Sequence, residues 1–393
     1  MFIACCKVIK ITEIVRLILL NLLSAKIYEE MKEKLLGKTP EELKEAAVGL
    51  GLPAFTGKQI AQWLYSKKVR SIEEMTNISK VGRQRLAEAY DLGVAAPSAC
   101  QISTDGTKKY LFPVRCPKSF RQNTSSGELY DYEDSSVEAV MIPEEDRKTL
   151  CVSSQAGCRM GCKFCMTGRQ GFHGNLSVSD ILNQFISIDE SGELTNAVFM
   201  GMGEPLDNYA NVKKAIDVLT ADWGFGWSPK RITLSTIGIV PVLKKYLDET
   251  RCHLAVSLHD PFGEERGDLM PIQKKYPIED VIRLIKQYDF TGQRRVSFEY
   301  IMFAGLNDDK RHADAFSRLL KGLECRVNLI RFHKIPDAPY QTSPELIMEK
   351  FRDRLSNQGI TCTIRASRGE DISAACGMLA GKHNQSNQNE PDE

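Results

Sequence analysis

From residue 149 to about 380, short apolar runs alternate with stretches whose apolar residues recur at helical spacing. Runs at 149–153, 197–201, 231–236, 253–258, 295–302, 326–331 and 362–365 have the length and branched content of strands. Helical patterns fill the gaps at 178–190, 208–221, 239–248, 279–288, 310–321 and 344–357. This alternation predicts an α/β fold, a partial (βα)6 TIM-like barrel of parallel strands joined by right-handed crossovers. In such barrels chemistry stands at the C-terminal ends of the strands.

Upstream the pattern changes. Residues 31–96 read as a small helical domain. A helical apolar face over 35–50 follows the start signal Thr39-Pro40-Glu41-Glu42, with Thr39 as cap and Pro40 in the first turn. Phe55, Ile60, Trp63 and Leu64 form a second apolar face. Residues 97–148 read as a linker of short β-strands. Asp105-Gly106 marks a hairpin turn between 100–103 and 109–114, and 137–142 returns as a strand. The polar stretch 117–134 is expected to be a long loop. Residues 1–30 read as an extension outside the functional core, 149–380 as the catalytic barrel and 381–393 as a polar, disordered tail. The apolar run at 14–23 is too short to span a bilayer, and Arg16 and Asn21 interrupt it.

The 393 residues carry a net charge of +1, so any nucleic-acid surface must be a local patch. Between positions 58 and 85, Lys58, Lys67, Lys68, Arg70, Lys80, Arg83 and Arg85 outnumber Glu73 and Glu74. That run suits phosphate contact, or an ordinary solvated helix face. Of twelve cysteines, Cys5, Cys6, Cys100, Cys116, Cys252, Cys325 and Cys362 show no paired framework and read as structural thiols. An oxygen-sensitive centre would need a reducing compartment, which points to the cytoplasm.

The most specific signal is Cys158, Cys162 and Cys165, spaced C-x-x-x-C-x-x-C. Three thiolates this close converge on one soft metal centre. A tetrahedral zinc site needs four ligands. Three ligands hold a [4Fe–4S] cluster and leave one iron open to a chelating molecule such as S-adenosylmethionine (SAM). Zinc and a redox dithiol are the competing readings. Met200-Gly201-Met202-Gly203-Glu204-Pro205 ends the second strand. Its glycines admit a ligand to the backbone, and Glu204 suits the SAM amino group. Ser235, and Ser257 with Leu258 and His259, end the third and fourth strands, as strand caps or as ligand contacts. Cys376 lies among small residues in RGEDISAACG, and Cys151 ends the first strand. Two thiols reaching one cavity can exchange as a disulfide, but periodicity does not bring them together.

Taken together, the cysteine triplet, GMGEP, STIG, SLH, VNLIRFH and RGEDISAACG resemble the RlmN/Cfr family of radical-SAM RNA methyltransferases over about residues 40–380. GMGEPL and the helical N-terminal domain are closer to the RlmN branch. The resemblance implies that Cys158, Cys162 and Cys165 hold one [4Fe–4S] cluster. It implies SAM contacts at Gly203, Glu204, Ser235, Ser257, Leu258 and His259. His333 stands where asparagine is the commoner residue. The implied reaction is methylation of adenosine C2 in 23S rRNA, at the peptidyl transferase centre, and in the tRNA anticodon loop, with two SAM per turnover. Cys376 would carry the methyl group and then a covalent link to RNA. Glu138, in VEAVMIP, would be the base, and Cys151 would resolve the link. An electron donor such as flavodoxin or ferredoxin, a cytoplasmic monomer and no membrane association also follow. The alternatives are C8 methylation, as in Cfr, a radical-SAM enzyme for a small molecule or peptide and, in another class, a zinc-binding RNA adaptor.

Overall fold

A computed structural model describes residues 32–121, 129–290, 292 and 294–372. The chain divides into two compact units, Met1–Val94 and Ala95–Glu393. The first holds β1 (Glu33–Lys34), α1 (Pro40–Gly49), α2 (Thr56–Ala61), α3 (Lys80–Ala89) and β2 (Tyr90–Asp91), with β1 and β2 paired in parallel. A π-helical turn, Gln62–Ser66, extends α2. The predicted start of α1 is a full capping box: Thr39 Oγ1 accepts from Glu42 N, and the Glu42 carboxylate accepts from Thr39 N. Leu35, Leu43, Ala47, Ile60, Leu64, Met75 and Leu86 form the core. Phe55, expected on an apolar face, is 63% exposed.

The second unit runs β3 (Ala99–Ile102), β4 (Lys108–Arg121), β5 (Leu129–Pro143), β6 (Lys148–Cys151), β7 (Gln155–Gly157), α4 (Met166–Arg169), β8 (Phe172–Asn175), α5 (Val178–Ile186), β9 (Asn196–Phe199), α6 (Tyr209–Thr220) and β10 (Ile232–Thr236). It continues through α7 (Val240–Glu249), β11 (His253–Ser257), α8 (Gly263–Leu269), α9 (Ile278–Ile285), β12 (Val296–Met302), α10 (Lys310–Leu320), β13 (Arg326–Arg331), α11 (Glu345–Asn357) and β14 (Thr361–Ile364). Among the described residues ten strands form one sheet, in the order β14-β13-β12-β11-β10-β9-β6-β5-β4-β3. From β6 through β9 to β14 every neighbouring pair is parallel, as the alternation predicts. Leu234, Leu254, Val256, Phe298, Tyr300, Val327 and Leu329 form the buried apolar face of these strands. The other face carries half-buried Thr233, Ser235, Ser257, Ser297 and Asn328. A sheet sealed on both sides would be apolar throughout, so this polar face marks a lumen.

Two expectations change. The strands of 97–148 are not a separate linker. Antiparallel β3, β4 and β5 continue the barrel's sheet at its β6 edge. The polar stretch 117–134 is largely strand, because β4 runs to Arg121 and β5 starts at Leu129. Pro117, which argues against a strand, falls where the register shifts between Pro117 and Ser119. A residue with no N–H is tolerated at such a bulge.

Candidate active site

The cysteine loop springs from a base that periodicity does not predict. The short strands β7 and β8 pair antiparallel and set Gly157 opposite Phe172. Cys158 N donates to Gly171 O at 2.7 Å. Gly157 has φ +70°, and a Cβ there would lie 2.0 Å from Gly171 O, so only glycine fits. Inside the loop Cys165 N donates to Cys162 O, and Lys163 N donates to Leu269 O at the end of α8. Met160, Cys162, Phe164 and Met166 pack on a cluster of Ile237, Leu269, Met270, Phe303, Phe332 and Ile335. This apolar seat shields the Cys162 side of the loop from water.

The donor set fits an iron–sulfur cluster. Burial pushes the Cys158 thiol up to about 12 and raises Cys162 further, a cost that a bound cationic centre offsets. Three soft thiol donors on one short loop, spaced C-x-x-x-C-x-x-C, suit a thiolate-bound cluster that keeps one metal position open.

Arg266, on α8, escapes sequence reasoning because GEERGDL reads as a solvated helix. It is fully buried. Its Nε donates to Leu258 O (3.0 Å), its Nη2 to Ser257 O (3.0 Å) and Ile237 O (3.3 Å), and its Nη1 to Gln273 Oε1 (2.7 Å). It ties the ends of β10 and β11 together, and its charge favours the Cys162 thiolate.

The GMGEP turn lies against β6 and β7 because it carries glycines. A Cβ on Gly201 would meet the Val152 backbone at 2.6 Å, and one on Gly203 (φ +95°) the Gln155 side chain at 2.4 Å. Gln155 clamps the turn, accepting from Glu204 N at 2.8 Å and donating to Asn175 and Asp207. The Glu204 carboxylate accepts from Leu206 N (3.0 Å), Thr236 Oγ1 (2.6 Å) and Ile237 N (3.0 Å). It braces the turn against the end of β10, leaving the backbone as the turn's open edge. Burial pushes it up to about 7 despite these bonds.

Ser235 and Ser257 are half-buried on the lumen face. Leu258 is fully buried, so it presents only its backbone, and its N–H is taken by Glu299 O at 3.1 Å. His259 has φ +57°, and its Nδ1 accepts from Ile301 N at 3.0 Å. Burial first, then Arg266, pushes it down to about 3. The ring is therefore neutral, with its proton on Nε2, and meets the Phe164 ring edge-on at 4.9 Å. His333 is half-buried just past β13.

Cys151 is buried at the end of β6. Glu138 lies in β5, with Oε2 2.8 Å from the Lys109 ammonium. Cys376 lies outside the described residues. The chain leading to it is tethered to the β3–β4 turn: Gly369 N donates to Asp105 (3.0 Å), while Asp371 accepts from Ser103 Oγ (2.5 Å) and Thr104 N (3.0 Å). A lumen cavity of about 640 Å³ is lined by Thr149, Val198, Thr233, His253 and Asn328, with Arg147, Arg231, Arg295, Arg365 and Arg368 giving it a basic wall.

Residues 152–316 match the family model of the Radical SAM superfamily, and residues 33–92 that of the ribosomal RNA large subunit methyltransferase N-terminal domain. A Porphyromonas gingivalis protein named probable dual-specificity RNA methyltransferase RlmN is 57% identical over 351 residues, 89% of this chain and 95% of that one. The dual-specificity RNA methyltransferase RlmN of Syntrophus aciditrophicus is 40% identical over 346 residues, 87% of this chain and 94% of that one. The crystal structure of a radical SAM methyltransferase from Sphaerobacter thermophilus matches with a TM-score of 0.79 at 35% identity, covering 88% of this chain and 98% of that one. Among the described residues no helix is long and apolar enough to cross a membrane.

Proposed function

The chain belongs to the RlmN family of radical-SAM RNA methyltransferases, and from that premise we propose that it methylates C2 of adenosine in 23S rRNA and in tRNA. One observation carries the reading: the cross-strand register sets Glu138 and Cys151 on the same sheet face, beside the strand ends that bear the cysteine loop and the GMGEP turn.

Cys158, Cys162 and Cys165 hold the cluster. When bound, the cluster supplies the electron that cleaves SAM. The backbone of the Gly203 turn and the side chains of Ser235, Ser257, His259 and His333 hold SAM, with Glu204 and Leu258 shaping that pocket from behind. Glu138 takes the C2 proton onto its carboxylate. Cys376 carries first the methyl group and then the RNA. Cys151 thiolate attacks the Cys376 sulfur; the carbon–sulfur bond breaks with its electron pair on the methylene carbon, which takes up a proton to become the methyl group of the product, while a disulfide forms and a thiol reductant restores both cysteines. The target adenosine must leave its stack to reach the lumen. Exposed Lys58, Lys67, Arg70 and Lys80 of the N-terminal unit contact phosphates. Arg83 and Arg85 serve the fold, donating to Ile78 O and Leu50 O. The enzyme works as a cytoplasmic monomer with a flavodoxin- or ferredoxin-type donor.

Anaerobic turnover with methyl-labelled SAM, followed by mass spectrometry of digested RNA nucleosides, tests this. The expected product is 2-methyladenosine. Labelled 8-methyladenosine would reassign the regiochemistry, and unlabelled RNA with intact SAM cleavage would move the substrate elsewhere.

A further inference from the structure

A lysine two residues after a tight turn, at the start of a hairpin strand, reads as a solvated side chain. Lys109 is instead 0% exposed, and the Glu138 carboxylate it faces at 2.8 Å is 2% exposed. Taking both charges out of water costs several kcal/mol per ion, and apolar residues of equal volume would serve stability as well. The placement of the pair is more informative than its strength. Lys109 is opposite Val140, Val140 opposite Cys151, and Cys151 opposite Val198, which lines the lumen cavity. Residues directly opposite one another share a face, and Glu138 shares that of Val140, two residues away. Lys109, Glu138 and Cys151 therefore stand on the lumen side of the sheet. The backbone there is fixed as well. Glu138 O accepts from Ser153 Oγ at 2.6 Å, and the same hydroxyl accepts from Met202 N of the GMGEP turn at 2.9 Å.

We infer that Lys109 is a positioning residue for Glu138, its ammonium fixing the rotamer of the carboxylate that takes the C2 proton. This rests on the reading of Glu138 as the base. Lys109 itself touches no reacting atom. Its removal should spare every stage before proton abstraction and stall the reaction at the stage Glu138 serves.

The test compares Lys109→Met, Glu138→Gln and the double variant, each in the cluster-loaded full chain. Three quantities are read: methyl loading of the protein from labelled SAM, RNA-linked protein on denaturing gels, and methylated nucleoside. Lys109→Met should load methyl as wild type does. It should lose product about a hundredfold, within the range of general-base contributions, and accumulate RNA-linked protein as Glu138→Gln does. The double variant should be no worse than Glu138→Gln, because Lys109 then has nothing to position. It also leaves no buried charge unpaired, so it decides the matter even if Lys109→Met fails to fold. Wild-type product from Lys109→Met would overturn the inference. So would a double variant that falls a further hundredfold below Glu138→Gln, since Lys109 would then act on RNA or SAM directly. Wild-type product from Glu138→Gln alone would overturn the base reading, a result obtained without touching Lys109.

Discussion

In the parallel half of the sheet, two buried ionisable groups beside the site, Arg266 and Glu204, are held by neutral groups. Arg266 donates to three carbonyls and an amide oxygen, and Glu204 accepts from two backbone amides and a hydroxyl. In the antiparallel half the buried carboxylate of Glu138 faces an ammonium. The difference is one of charge balance. A charge solvated only by dipoles is favoured further when an opposite charge binds beside it. Arg266 lies near Cys162 and so favours a thiolate centre there, while Glu204 lies under the turn assigned to the amino group of SAM. On the proposed function, charged guests would complete the parallel half, whereas Glu138 in the antiparallel half is already balanced by Lys109. Substitutions in the two halves should therefore fail differently: one loses a guest, the other a step.

The strongest break in this comparison is Cys162→Ala. It removes one of the three proposed cluster ligands, the buried thiol beside Arg266. Iron content after anaerobic reconstitution should fall to near background. SAM cleavage should fall at least about a thousandfold, because the electron for the hard step comes from the cofactor. The antiparallel half should be untouched, with far-UV circular dichroism matching wild type. Wild-type cleavage from the variant would take Cys162 out of the ligand set.

The two halves were also unequally legible. Each parallel strand ends within two residues of its predicted end, because its apolar run alternates with helical patterns along the chain. The cysteine triplet and GMGEP were legible because their spacing is itself the chemistry. Three features were not. The β7–β8 pair is only three and four residues long, too short for any period to register. The outer parts of β4 and β5 are polar and interrupted by Pro117, so composition argued for a loop. Lys109 and Arg266 were invisible because burial of a cation depends on partners that are distant in sequence. Glu204 was legible as part of a ligand turn, but its carboxylate bonds to its own chain, which only the approach of β10 reveals.

A second prediction sharpens the contrast through pH. Burial raises Glu204 from 4.5 to about 7. Between those values the folded protein binds more protons than the unfolded chain. Its stability should therefore fall as pH rises through this window and level off above it, by about 3 kcal/mol in all. Urea unfolding of the cluster-free protein at pH 5 and pH 7.5 measures the fall. Buried Asp260, raised to about 6, adds a fall of the same sign, so the difference between wild type and Glu204→Gln is what counts. The variant should lose most of the slope. An unchanged slope would place the titration elsewhere and remove Glu204 as a charge that awaits a partner.

The smallest expected effect tests whether the antiparallel half also governs the chain that leads to Cys376. Asp371 stands five residues before that cysteine, and its carboxylate holds Ser103 and Thr104 of the turn that opens β4. These bonds favour the charged form and hold Asp371 below its usual range. The tether is therefore in force at neutral pH and is lost only as acid protonates the carboxylate. Asp371→Ala leaves Lys109, Glu138, the cysteine loop and the GMGEP turn untouched. It removes two bonds that fix one end of the segment, so positioning should weaken while chemistry stays available. Methyl loading should slow by about tenfold, because the segment loses part of its orientation. SAM cleavage without RNA and iron content should hold at wild-type values. Asp105→Ala, which frees Gly369 N from the same turn, should slow loading in the same way. If both variants load methyl at the wild-type rate, the turn only seals the surface, and the antiparallel half contributes to the reaction through Lys109 and Glu138 alone.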